Sequence, residues 1–111
     1  MTVQQDKPLL LVDTADVRVA EFSLPAGQAG ECHYHSNVSE HCYCLEGILS
    51  VTLESSPCKT LSQGERLLIP PGVPHQVANT GGVPSRYLVV QGVGVFDFIR
   101  LTGECDAWYK F

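Results

Sequence analysis

Positive charge is scarce in this chain. Seven Lys and Arg stand against twelve Asp and Glu, for a net charge of -5. The few cations are scattered and form no cluster, which excludes a partner held through a nucleic-acid backbone. Charge of either sign is thin at 17% of residues, whereas 44% are apolar. Disordered chains show the reverse balance, so this one is expected to fold. Long apolar runs are also missing. The longest fall far short of the roughly 18 residues that a membrane span requires, so no membrane partner is expected. No basic segment precedes the short run Leu9 to Val12, as it would in an export signal. No CxxC pair occurs, and the cysteines (Cys32, Cys42, Cys44, Cys58 and Cys105) are odd in number. These absences predict reduced thiols in a cytoplasmic protein. A length of 111 residues leaves room for one domain over 1–111, and excludes a two-domain enzyme that closes on its substrate.

A sustained helical period is absent as well. Ten Gly and seven Pro cut the chain into short runs rich in Val, Leu, Ile, Phe and Tyr. Such runs fall at Val17 to Leu24, His41 to Leu45, Ile48 to Leu53, Arg66 to Ile69, Arg86 to Gln91 and Val93 to Ile99. Bounded by turn residues, they predict strands and an all-β sandwich or barrel. An N-terminal strand or arm is expected within 1–16. The tail 104–111 carries Trp108, Tyr109 and Phe111, and is expected to dock on the domain or on a second subunit.

What the chain does have is a concentration of histidine. All four histidines lie in two short segments. Residues two apart on a strand share a face, so His33 and His35 aim side by side and can converge on one ion. Glu40 follows after Ser36 and Asn37, which predict a bend that returns the chain to that face. In the second segment a strand runs into a turn built by Pro70, Pro71, Gly72 and Pro74, and His75 opens the next strand. Proline fixes φ and glycine allows tight turning, so His75 is held in a defined position. Three imidazoles and one carboxylate suit one divalent transition metal ion: Fe, Mn, Ni, Cu or Zn. Four protein ligands leave room for water, a chelating substrate or dioxygen on an octahedral ion. A closed structural zinc site is disfavoured, because those usually contain thiolate.

These segments resemble the two motifs of the cupin superfamily. Gly27, His33, His35, Glu40 and Gly47 match the first, G-x5-H-x-H-x3,4-E-x6-G, and Gly64, Pro70, Gly72, His75 and Asn79 match the second, G-x5-P-x-G-x2-H-x3-N. The resemblance implies a single-domain jelly-roll β-barrel, with His33, His35, Glu40 and His75 as metal ligands, and a homodimer formed through its sheets. It implies no one reaction. The reading taken forward is an enzyme on a small organic substrate, most concretely a dioxygenase-like oxidoreductase in which Glu40 is a ligand or a catalytic base. A metal-dependent isomerase or lyase is the alternative, as is a non-catalytic cupin that holds a sugar or small acid.

The remaining candidates are read more plainly. His41 points away from Glu40, and Tyr34 and Tyr43 alternate away from the ligand face toward packing or an interface. Cys42 and Cys44 share the face of Glu40 and act as small hydrophobes, with a pocket or soft-ligand role for Cys42 as the other option. Cys32 faces away from the metal. Gly47 suits a hairpin that needs positive φ. Asn79 is expected to satisfy backbone groups in the turn after it. Arg66 and Arg86 are the only cations expected near the barrel strands. The segment Pro8 to Val12 and the tail around Trp108 are the expected dimer contacts.

Overall fold

The structure is a computed structural model that describes residues 7–101. Ten strands follow one another without a helix among the described residues: β1 Leu9–Asp13, β2 Val17–Leu24, β3 His33–Tyr34, β4 Ser39–Glu46, β5 Leu49–Leu53, β6 Lys59–Leu61, β7 Arg66–Ile69, β8 His75–Ala78, β9 Ser85–Gly92 and β10 Ile99–Arg100. Hence no helix there is long and apolar enough to cross a membrane. All pairings are antiparallel, in two five-stranded sheets ordered β1-β2-β9-β4-β7 and β10-β3-β8-β5-β6. This is the jelly-roll architecture expected from the sequence. The tail 104–111, with Cys105 and Trp108, lies outside the described residues.

Alternation along each strand builds the core. β9 reads buried at Ser85, Tyr87, Val89 and Gln91 and half-buried between them. Its buried residues face those of β4, whose Cys42 pairs with Val89 and Cys44 with Tyr87. Leu49, Val51, Leu61, Ile69 and Val77 close the same cluster. Cys42 and Cys44 are therefore small hydrophobes in this core, as expected. Burial, reinforced by the charge of Glu40, pushes the Cys42 thiol far above its ordinary range, so it stays protonated.

Local chemistry sets the turns. Gly47 has φ of 75° between β4 and β5. A Cβ there would meet Ser85 Oγ at 2.7 Å and the Pro84 carbonyl at 2.9 Å, so only glycine fits. The Asn79 side chain donates to the carbonyls of Leu24 and Val83 and accepts from the Gly81 amide, as the sequence predicts.

Two expectations are corrected. The run Val93 to Ile99 is not one strand. Residues 93–98 are irregular and only Ile99 and Arg100 pair, with β3. Gly94, at φ of 153°, lies so close to Asn37 that a Cβ would sit 2.5 Å from its carbonyl oxygen. That approach draws the chain out of the ladder and across one end of the barrel. Cys32 is disulfide-bonded, whereas Cys42, Cys44 and Cys58 are free thiols. A bridge depends on Cα separation and side-chain direction, which sequence spacing does not report. The argument from reduced thiols to a reducing compartment therefore falls.

Candidate metal centre

The four expected ligands meet between the two sheets. His33 and His75 sit directly opposite each other across β3 and β8, so their side chains leave the same face. Glu40 comes from β4 of the facing sheet. His35 lies just beyond β3, before the bend at Ser36 and Asn37. One ligand atom from each of the four falls within 4.8 Å of the others, a cluster that can hold one metal ion. His35, Glu40 and His75 are buried and His33 is half-buried.

Each imidazole is keyed by the backbone. Nδ1–H of His33 donates to the Glu31 carbonyl at 2.8 Å, that of His75 to Val73 at 2.9 Å, and that of His35 to Asp97 at 2.7 Å. With Nδ1 engaged, all three rings turn Nε2 inward, as metal-binding histidines require. The Pro-Gly turn of the second motif also steadies the first, since the Gly72 amide donates to the His35 carbonyl at 2.7 Å.

Charge inside the cluster is uneven. Burial, and then the neighbouring His75, lower the His33 pKa to about 4. Burial works to lower His35 too, but its hydrogen bond to Glu40 and that carboxylate's charge outweigh it, so the pKa rises above the ordinary value. His35 Nε2 lies 2.9 Å from Glu40 Oε1. Burial would raise the Glu40 pKa, but the close contact with His35 and the neighbouring His75 imidazole hold it well below the usual carboxylate range. His75 Nε2 is fully buried, 3.6 Å from Glu40 Oε2, and has no hydrogen-bond partner. A buried, unpartnered nitrogen aimed at a carboxylate and two other imidazoles fits a metal ligand, because leaving it unsatisfied costs about 1–3 kcal/mol.

Several site residues escaped the sequence reading. The Gln91 side chain is buried and donates from Nε2 to Glu40 Oε1 at 2.8 Å, with His35 Nε2 at 3.3 Å from the same nitrogen. It orients the carboxylate. Phe98 stacks on His33 with ring centroids 4.1 Å apart, and Phe96 lies 5.3 Å from His35. Arg18 faces the same space, which corrects the expectation that Arg66 and Arg86 were the only cations near the barrel strands. Arg66 instead turns outward to the Tyr43 hydroxyl, and Arg86 is paired with Glu21 and Glu46. The available signal was parity: Arg18, Ala20, Phe22 and Leu24 share one face of β2, of which Ala20 and Leu24 are buried. His41 and Tyr43 lie on the outer face of β4 as expected, half-buried with rings 6.4 Å apart. The cluster is not sealed. His33, His35 and Glu40 border a cavity of about 310 Å³.

A family model described as a cupin domain matches residues 20–91. An uncharacterised protein of Methanocaldococcus jannaschii is 34% identical over 70 residues, which are 63% of this chain and 55% of that protein. The chain thus spans about half the length of this relative. An uncharacterised Klebsiella pneumoniae protein with a double-stranded β-helix domain superposes with a TM-score of 0.78 at 20% identity, over 91% of each chain. An oxalate oxidase superposes with a TM-score of 0.72 at 20% identity, over 78% of this chain and 46% of its own. Both structural likenesses concern the fold alone.

Proposed function

The chain belongs to the cupin family, and from that premise we propose that it is a metal-dependent enzyme acting on a small organic molecule, most specifically an oxygen-using oxidoreductase. The observation that carries this reading is the open cluster. Four ligand atoms lie within 4.8 Å of one another, and three of the residues that carry them, His33, His35 and Glu40, border a cavity of ligand size, whereas a structural site would be closed. An oxalate oxidase on the same fold is in keeping with it.

His33, His35, Glu40 and His75 would hold the ion. When bound, a redox-active ion supplies electron transfer and activation of dioxygen, and any divalent ion supplies Lewis acidity. The chain's own residues prepare the rest. The carbonyls of Glu31, Val73 and Asp97 fix the three rings, and Gln91 fixes the carboxylate. Phe96 and Phe98 flank the imidazoles and exclude water from that side. Glu40, ionised by its surroundings, supplies the anionic member of the ligand set.

The test is elemental analysis of protein purified without added metal, joined to oxygen uptake with diketone and catechol substrates. Iron or copper with uptake supports the oxidoreductase. Zinc, nickel or manganese without uptake transfers the reading to an isomerase or lyase, and an empty site transfers it to a binding module.

We also propose that a second copy of the chain is the partner of β1. This edge strand has one side paired to β2 and exposes Leu9, Leu10, Leu11 and Val12, and free apolar edges are seldom left uncovered. Light scattering is expected to show a dimer at micromolar concentration that Leu11→Lys dissociates. A wild-type monomer at all concentrations refutes it.

A further inference from the structure

Arg18 stands in a row of residues that ends at the metal cluster. It pairs with Gln91 across β2 and β9, and Gln91 pairs with Glu40 across β9 and β4. All three side chains border the cavity. Arg18 Nη1 donates to Gln91 Oε1 at 3.4 Å, and the guanidinium carbon lies 4.3 Å above the Phe96 ring. One carboxamide therefore separates the guanidinium from the Glu40 carboxylate. These contacts hold the fork in place and use one of its five donors.

Among the described residues Arg18 makes no ion pair. Arg86 bridges Glu21 and Glu46, and Arg100 pairs with Glu31, whereas Arg66, also without an ion pair, turns outward to the Tyr43 hydroxyl and away from the cavity. Two acids border the cavity, and both are compensated, Glu31 by Arg100 and Glu40 by His35. Arg18 is the charge left over. The remaining walls are apolar and flat, with Phe22 and Tyr87 stacked 5.2 Å apart on one side and Phe96 and Phe98 near the imidazoles. A volume of about 310 Å³ is at the small end for a ligand site, the size of one ring with a substituent. A sugar needs polar partners around its rim, whereas beyond that row, the imidazoles and the paired Glu31 the polar lining side chains here are only Ser23 and Tyr87.

We propose that Arg18 is the substrate anchor of this pocket, and that it selects a small carboxylate with a flat, apolar body. A single guanidinium matches a single carboxylate in charge and in fork geometry. The carboxylate lies on Arg18, the body lies among the aromatic rings, and the far end reaches the metal cluster. This assignment rests on the metal-dependent reading for what happens at that far end, but not for the binding at Arg18.

The test uses the full chain with its metal content measured in parallel, and benzoate as the probe in a calorimetric or NMR titration. Benzamide keeps the shape and removes the charge, acetate keeps the charge and removes the ring, and phenyl phosphate changes the anion. Benzoate is expected to bind saturably to wild type and more tightly than each of the other three. Arg18→Met and Arg18→Gln are expected to weaken benzoate tenfold or more, to leave benzamide unchanged, and to keep the wild-type metal content. The proposal is overturned by equal benzoate affinity in wild type and both variants, by benzamide or acetate binding as well as benzoate, or by phenyl phosphate binding more tightly. A wild type that binds benzoate through Arg18 but holds no metal leaves the anchor standing and defeats only the metal-dependent reading.

Discussion

Replacing His75 with alanine is expected to weaken metal binding by more than about 100-fold, since even the groups that orient a ligand are typically worth 10–100-fold. The barrel should stay folded. His75 is fully buried at the start of β8, so its loss opens a void. The same change removes an unpartnered Nε2, whose burial costs about 1–3 kcal/mol. The two terms oppose each other, and metal-free stability should change little. The separation appears in thermal unfolding with and without added metal. Wild type should gain stability with metal concentration by mass action, and His75→Ala should gain none. His33→Ala should behave alike. Metal content and metal-induced stabilisation unchanged in both variants would refute the site.

Glu40→Gln should produce the second large effect, through charge at constant shape. The carboxylate Oε1 takes bonds from Gln91 and faces His35 Nε2. After the opposing influence of burial, that contact is the main reason the His35 pKa is raised. With the charge gone, burial should dominate and the His35 pKa should fall below its ordinary value of 6.5, as read by the imidazole resonances in an NMR titration. The sign carries over to metal uptake. A raised pKa keeps metal-free His35 protonated to higher pH, and an ion must displace that proton. Wild-type affinity should therefore rise with pH through the His35 titration, with proton release on loading at the ordinary imidazole value of 6.5, where a raised pKa leaves the ring mostly protonated. His33, lowered to about 4, adds no competition there. In Glu40→Gln that release should shrink, while affinity still drops because a charged ligand is lost. If the metal is redox-active, its potential should become more positive, since an anionic ligand stabilises the higher oxidation state. A variant that releases the same protons and binds metal as well as wild type would remove Glu40 from the ligand set.

What the sequence by itself determined is local. The pairing of His33 with His35, the bend before Glu40, the proline-bound turn before His75, the glycine at 47 and the cap at Asn79 all follow from i, i+2 alternation and from φ restrictions, which act over a few residues. Those features bring His33, His35, Glu40 and His75 forward as candidate ligands, the short turn-bounded runs give the all-β class, and the resemblance to cupins supplies the jelly roll. What only the tertiary structure decided is everything that depends on register between distant strands. In β9, Tyr87 and Val89 are as apolar as Leu88 and Val90, so alternation alone does not say which pair faces inward, or that Gln91 does. Pairing with β4 and β2 resolves it and aligns Arg18, Gln91 and Glu40 in one row. Residues 93–98 have a strand's composition, yet the close approach of Gly94 to Asn37 takes them out of the sheet, and so brings Phe96, Phe98 and the Asp97 carbonyl onto the imidazoles. The Cys32 bridge belongs with these, because a disulfide depends on Cα separation and side-chain direction in the folded chain.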